Sequence, residues 1–145
     1  MIIVRVLGGD MDVRVAIVDD AGVFRAVARE LLVRRGYQIA GEAACACDAL
    51  ALVERTVPDA ALVDVCLGED DGFALAPRLI ERRPGLAVLI ISAAFEPGFY
   101  ARALECGARG YVPKQELAAV DLNAFWRSSL AEETGVLGAS DGFRA

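Results

Sequence analysis

Five side chains with the makings of a reaction centre each stand where a short apolar run ends. Asp19 and Asp20 follow Val15-Ala16-Ile17-Val18, and Asp64 follows Ala60-Ala61-Leu62-Val63. Ser92 follows Leu89-Ile90-Ile91, and Lys114 follows Gly110-Tyr111-Val112-Pro113. Three carboxylates brought together repel, which raises the cost of keeping all of them ionised until a divalent cation neutralises them. A small hard cation held by one or two carboxylates, a carbonyl and several waters is the usual arrangement of Mg2+. A phosphoryl group arriving at such a set meets a cation, a hydroxyl donor and an ammonium, which together suit a metaphosphate-like transition state. Asp64, with no neighbouring base, reads as the nucleophile, and its product would be an acyl phosphate. Each residue alone has a plainer reading: an Asp after a strand caps a turn or helix, a strand-end Ser bonds backbone, and a Lys is solvated. The recurrence of all five at successive strand ends favours the chemical reading.

The elements that must position these residues alternate along the chain. Apolar, β-branched runs predict strands over 13–18, 37–43, 59–65, 86–92 and 109–112. Helical spacing predicts helices over 23–35, 48–57, 73–83, 97–106 and 116–130, bounded by Gly36, Pro58, Pro84-Gly85 and Gly107. In the first helix Val23, Val27, Leu31 and Leu32 form the expected inward stripe. The last is expected to pack through Leu117, Val120, Phe125 and Leu130. Five strands alternating with five helices through short loops imply an α/β fold, a single doubly wound five-stranded parallel sheet with helices on both faces. Chemistry in such sheets sits at the carboxyl ends of the strands, where all five residues fall. Residues 13–130 are expected to form the domain, 1–12 an N-terminal appendage and 131–145 a loose tail.

Composition narrows the possibilities further. The 145 residues suffice for one domain with a real core, and a hydrophobic fraction of 56% suits strands covered on both faces. The apolar runs are strand-sized, far short of the roughly 20 residues that span a bilayer, and the N-terminus lacks the pattern of a secretory signal. A net charge of -6 argues against direct nucleic-acid contact by this segment. Four cysteines without a disulfide framework point to reduced thiols and a cytoplasmic setting. The chain has no histidine, so it offers no imidazole catalysis and cannot itself carry a phosphohistidine.

Taken together, Val18-Asp19-Asp20, Leu62-Val63-Asp64-Val65 with Asp71-Gly72, Ile90-Ile91-Ser92-Ala93 and Gly110-Tyr111-Val112-Pro113-Lys114 closely resemble the motif set of bacterial response-regulator receiver domains, the CheY-like, flavodoxin-like family of two-component signal transduction. The resemblance implies that Asp64 accepts a phosphoryl group from a sensor histidine kinase or a histidine phosphotransfer protein. It implies that Asp19, Asp20, Asp64 and the backbone carbonyl of Cys66 hold Mg2+, that Ser92 and Lys114 contact the phosphoryl group, and that Tyr111 is the switch residue that turns inward on activation. The segment 101–111 looks like receivers joined to helix-turn-helix output domains. The expected output is a switched face over 95–130 that meets a downstream protein target or the chain's own output domain, or pairs two copies as a homodimer. This chain departs from the family pattern in having Gly68-Glu69-Asp70-Asp71 where a proline is common, so a mobile acidic loop is expected, and in having Ser92 where Thr is commoner. Cys66 and Ala94 occupy positions that in the family influence hydrolysis. Neither positions an attacking water well, so slow autodephosphorylation is expected and no other catalysis. A phosphorylation-independent adaptor and an aspartate-nucleophile phosphohydrolase are the alternatives. The second lacks an acid two residues after Asp64, where Cys66 stands.

Overall fold

The computed structural model describes residues 13–126. Five parallel strands, β1 (Arg14–Val18), β2 (Gln38–Ala43), β3 (Ala60–Asp64), β4 (Ala87–Ser92) and β5 (Gly110–Pro113), form one sheet in the order β2-β1-β3-β4-β5. The helices between them are α1 (Gly22–Arg34), α2 (Ala46–Thr56), α3 (Gly72–Arg82) and α4 (Phe99–Glu105). A fifth, α5, begins at Leu122 and is described through Trp126. The predicted α/β fold is the observed one. The strand order reverses between β1 and β3, and that reversal opens the crevice in which doubly wound sheets bind ligands.

Alternation along the strands divides the core into two layers. Ala16, Val18, Ala61, Val63, Val88 and Ile90 face α2, α3 and α4, where Leu52, Val53, Leu75, Leu79 and Ala103 pack on them. Val15, Ile17, Leu62, Leu89, Ile91 and Val112 face Ala28 and Leu32 of α1 and Leu122 and Trp126 of α5. The Trp126 ring meets Tyr37 edge-on at 6.5 Å. Among the described residues no helix is long and apolar enough to cross a membrane. All four cysteines are free thiols.

Three local expectations are corrected. The inward face of α1 is carried by Ala28 and Leu32, with Phe24 and Leu31 half-buried, whereas Val23 is 81% exposed and Val27 58%. Both stripes have helical spacing, and small Ala28 lets the helix approach the sheet. The last helix starts at 122, not 116. Lys114–Glu116 is a 3-10 turn, and the Arg35 guanidinium donates to the carbonyls of Val120 and Ala118, diverting them from a continuous helix. Asp121 then caps the new start by accepting from the Asn123 N–H at 3.1 Å. The acidic loop after Asp64 is a tight antiparallel hairpin, Cys66–Leu67 against Asp70–Asp71, turned at Gly68 with φ 65° and anchored by buried Leu67. The peptide bond before Pro113 is trans. The expected appendage 1–12, the tail 131–145 and the packing of Leu130 lie outside the described residues.

Candidate functional site

The carboxyl ends of β1, β3, β4 and β5 bring Asp19, Asp64, Ser92 and Lys114 to one crevice, as the spacing predicts. Asp19 is fully buried, Asp64 is 6% exposed and Ser92 5%, the only buried polar or charged side chains among the described residues. Asp20 lies at the surface beside them. Carboxylate oxygens of Asp19, Asp20 and Asp64 all lie within 4.8 Å of one another. The turn carrying the acid pair is pinned twice: Asp19 Oδ1 accepts from the Ala21 N–H at 2.8 Å, and the Asp19 carbonyl accepts from Arg25 at 2.6 Å. Arg25 is itself tied to Glu42 of β2 at 3.1 Å, a contact that sequence spacing does not announce.

The Lys114 ammonium reaches across the crevice to Asp19 Oδ2 at 2.7 Å and Asp64 Oδ2 at 3.3 Å. The first contact is an ion pair without hydrogen-bond alignment, so the buried Oδ2 has a charge partner but no aligned donor. An acceptor left in that state, beside two more carboxylates, fits a divalent cation. Burial, reinforced by the Asp19 charge, raises the Asp64 carboxyl above its ordinary value against the pull of Lys114. Burial alone would depress the Lys114 ammonium, but Asp19 and Asp64 hold it above its usual value.

The raised Asp64 carboxyl has a consequence for stability. Its ionised form is disfavoured in the fold relative to the unfolded chain, whose carboxyl titrates near 3.8. The penalty is therefore absent below that pH and fully present above the raised folded value. Asp64→Asn removes it, so the metal-free variant is expected to melt a few degrees higher than the parent at pH 7. The gain should vanish as the pH falls toward 4. Thermal melts with a chelator, run across that range, check this; a variant no more stable at pH 7 would contradict it.

The remaining predicted residues take clear places. Ser92 Oγ accepts from the Ala94 N–H at 3.1 Å, which leaves its proton free to point at a ligand. Tyr111 lies inward, 9% exposed, its hydroxyl donating to the Ala94 carbonyl at 2.6 Å and its ring edge-on to Phe99 at 5.5 Å. The Cys66 side chain is exposed, in the hairpin that follows Asp64. The loop acids Asp70 and Asp71 do not join the cluster. Asp71 caps α3 by accepting from the Phe73 N–H at 2.8 Å, and Asp70 accepts from the Ala46 N–H at the start of α2 at 3.0 Å. Sequence reading passed over Phe24, whose ring lies 4.4 Å from the Lys114 Nζ.

Comparison with known proteins agrees with this geometry. The family model for the response regulator receiver domain matches residues 15–124. Response regulator GacA of Pseudomonas aeruginosa is 31% identical over 103 residues, covering 70% of this chain and 48% of GacA, so the chain spans about half the length of that curated relative. A two-component response regulator of the LuxR family from Aurantimonas sp. SI85-9A1 superposes with a TM-score of 0.73 at 30% identity, over 81% of this chain and 84% of that one. A response regulator from Burkholderia pseudomallei, whose structure contains a phosphorylated aspartic acid, a calcium ion and citrate, superposes with a TM-score of 0.67 at 28% identity, over 84% and 73%. With the family model matching residues 15–124, most of its length, the chain belongs to the response-regulator receiver domains of two-component signal transduction.

Proposed function

We propose that the chain is a phosphorylation-controlled signalling module in which Asp64 accepts a phosphoryl group from the phosphohistidine of a sensor kinase or phosphotransfer protein. One Asp64 oxygen attacks phosphorus, the phosphorus–nitrogen bond of the donor breaks, and the electron pair leaves with the imidazole, which takes a proton from water. Asp19, Asp20, Asp64 and the Cys66 carbonyl would hold Mg2+, which when bound supplies charge neutralisation for the incoming phosphoryl oxygens. Lys114 and the Ser92 hydroxyl then face those oxygens, one as a cation and one as a donor. Beyond this self-catalysed transfer and slow loss of the phosphoryl group, the chain is a phosphoacceptor rather than an enzyme.

The observation that carries this reading is the meeting of three carboxylates with one ammonium at the switch point of the sheet. The output would run through Tyr111, whose hydroxyl donates to Ala94, the β4–α4 loop residue whose N–H donates to Ser92. That loop and α4 present Phe95 at 67% exposure, Tyr100 at 55% and Leu104 at 46%, apolar surface suited to a protein partner, an output domain or a second copy. Phosphate on Asp64 would favour one arrangement of this face, and by reciprocity a partner that selects it should promote phosphorylation. A cytoplasmic location and no direct nucleic-acid contact by this segment belong to the same reading.

Incubation with Mg2+ and a small phosphodonor such as acetyl phosphate, followed by intact mass measurement, tests it. The expected result is one hydroxylamine-labile phosphoryl adduct that persists after donor removal and is missing in Asp64→Asn. Absence of the adduct, with Mg2+ shown to bind, would favour the phosphorylation-independent adaptor.

A further inference from the structure

Lys114 carries three N–H donors and no acceptor. Oxygen faces it on two sides, from Asp19 Oδ2 at 2.7 Å and Asp64 Oδ2 at 3.3 Å. On another side stands the Phe24 ring, with the Nζ 4.4 Å from its centroid. Phe24 is half-buried on α1 and packs against the core layer below it, so its ring is anchored. The Lys114 side chain is 16% exposed. The ammonium is thus kept at the crevice by two acids and an aromatic face, with little water to compensate for the loss of any one.

We propose that Phe24 is a positioning residue for phosphotransfer, its π face holding the Lys114 ammonium at the crevice by a cation–π contact. The inference rests on the phosphoacceptor reading of Asp64. When the phosphoryl group arrives, Lys114 has to redirect a donor from a carboxylate to a phosphoryl oxygen. The oxygen contacts change in that step, whereas the ring contact stays, so the ring fixes where the ammonium sits during transfer. An aliphatic residue would fill the same space without attracting the charge.

Acetyl phosphate kinetics on the full chain test this, with the wild type measured in parallel. Phe24→Leu should slow phosphorylation about three- to tenfold, the size of a partly desolvated cation–π contact, while Mg2+ affinity by titration calorimetry stays within about twofold. Mono-, di- and trifluorinated phenylalanine at position 24 keep the shape and drain the ring face of negative charge. The rate should fall stepwise through that series at an unchanged melting temperature. A flat or rising series in a wild-type background that takes the phosphoryl group overturns the cation–π role alone. So does a parallel loss of Mg2+ affinity, which would mark Phe24 as merely structural. A wild-type chain that takes no phosphoryl group overturns the phosphoacceptor reading and this inference with it.

Discussion

Lys114→Met is expected to slow phosphorylation of Asp64 by about 100-fold or more, the usual cost of removing a charge-stabilising group from a transfer site, and to tighten Mg2+ binding. The two effects have opposite signs because the ammonium plays two parts. In the metal-free fold it sits 2.7 Å from Asp19 Oδ2 and 3.3 Å from Asp64 Oδ2, where it neutralises the same oxygens that a cation would take. It therefore competes with and repels the metal, and its removal should raise Mg2+ affinity roughly tenfold. Asp19 is fully buried, so without Mg2+ the variant leaves a buried carboxylate unpaired. Breaking such a pair costs about 3–5 kcal/mol in a closed interior; the open mouth at Asp20 should reduce this to about 2 kcal/mol. Mg2+ should then raise the melting temperature of Lys114→Met by more than it raises that of the parent. Calorimetric titration, thermal melts with and without Mg2+, and acetyl phosphate kinetics read the three quantities. Unchanged phosphotransfer, or weakened Mg2+ binding, would sink this account of Lys114.

That account draws on residues legible from the start. Asp19, Asp64, Ser92 and Lys114 each follow an apolar run that can only be a buried strand, and parallel strands put their carboxyl ends on one edge. Strand ends are fixed by backbone pairing, so residue type and position together determine where the chemistry gathers. Positions set by one side chain reaching a distant backbone were not legible in the same way. Arg35 bonds Ala118 and Val120, more than eighty residues away, and moves the start of α5 past Asp121. Asp121 itself carried the signal, being a good N-cap inside a span read as continuous helix. The stripe of α1 was misread because Val23 and Val27 outweigh Ala28 in hydrophobicity, whereas a helix lying close to a sheet needs a small residue at the contact. Asp70 and Asp71 made the loop look merely acidic and mobile, yet both carboxylates accept from backbone N–H groups at helix starts. Phe24 and Arg25 stayed hidden because their partners lie on other elements, Lys114 just past β5 and Glu42 in β2.

Gly72→Ala should be the most damaging single-methyl change near the site, through contact with backbone that cannot swing aside. Gly72 is the first residue of α3, buried against the end of β3, and its N–H donates to the Val65 carbonyl at 2.7 Å. A Cβ there would fall 2.0 Å from the Asp64 carbonyl oxygen, 2.8 Å from its carbon and 3.0 Å from the Val65 Cα. All three are main-chain atoms, so the clash is relieved only by pulling α3 away from β3, which opens the layer of Phe73, Leu75 and Leu79, or by shifting the peptide that carries Asp64. Overpacking a tight interior costs about 1–3 kcal/mol when side chains can adjust; with backbone on both sides the loss should reach about 3 kcal/mol or more. For a domain of this size that corresponds to a fall of roughly 10 °C in melting temperature. Mg2+ affinity should drop as well, since the same peptide shift moves Asp64 relative to Asp19. Gly98→Ala supplies the comparison, because a Cβ at Gly98, just before α4, meets nothing within 4 Å and its φ of -81° suits any residue. That variant should stay within about 0.5 kcal/mol of the parent. If the two variants melt within a couple of degrees of each other, the contact between Gly72 and the Asp64 peptide does not hold β3 and α3 together.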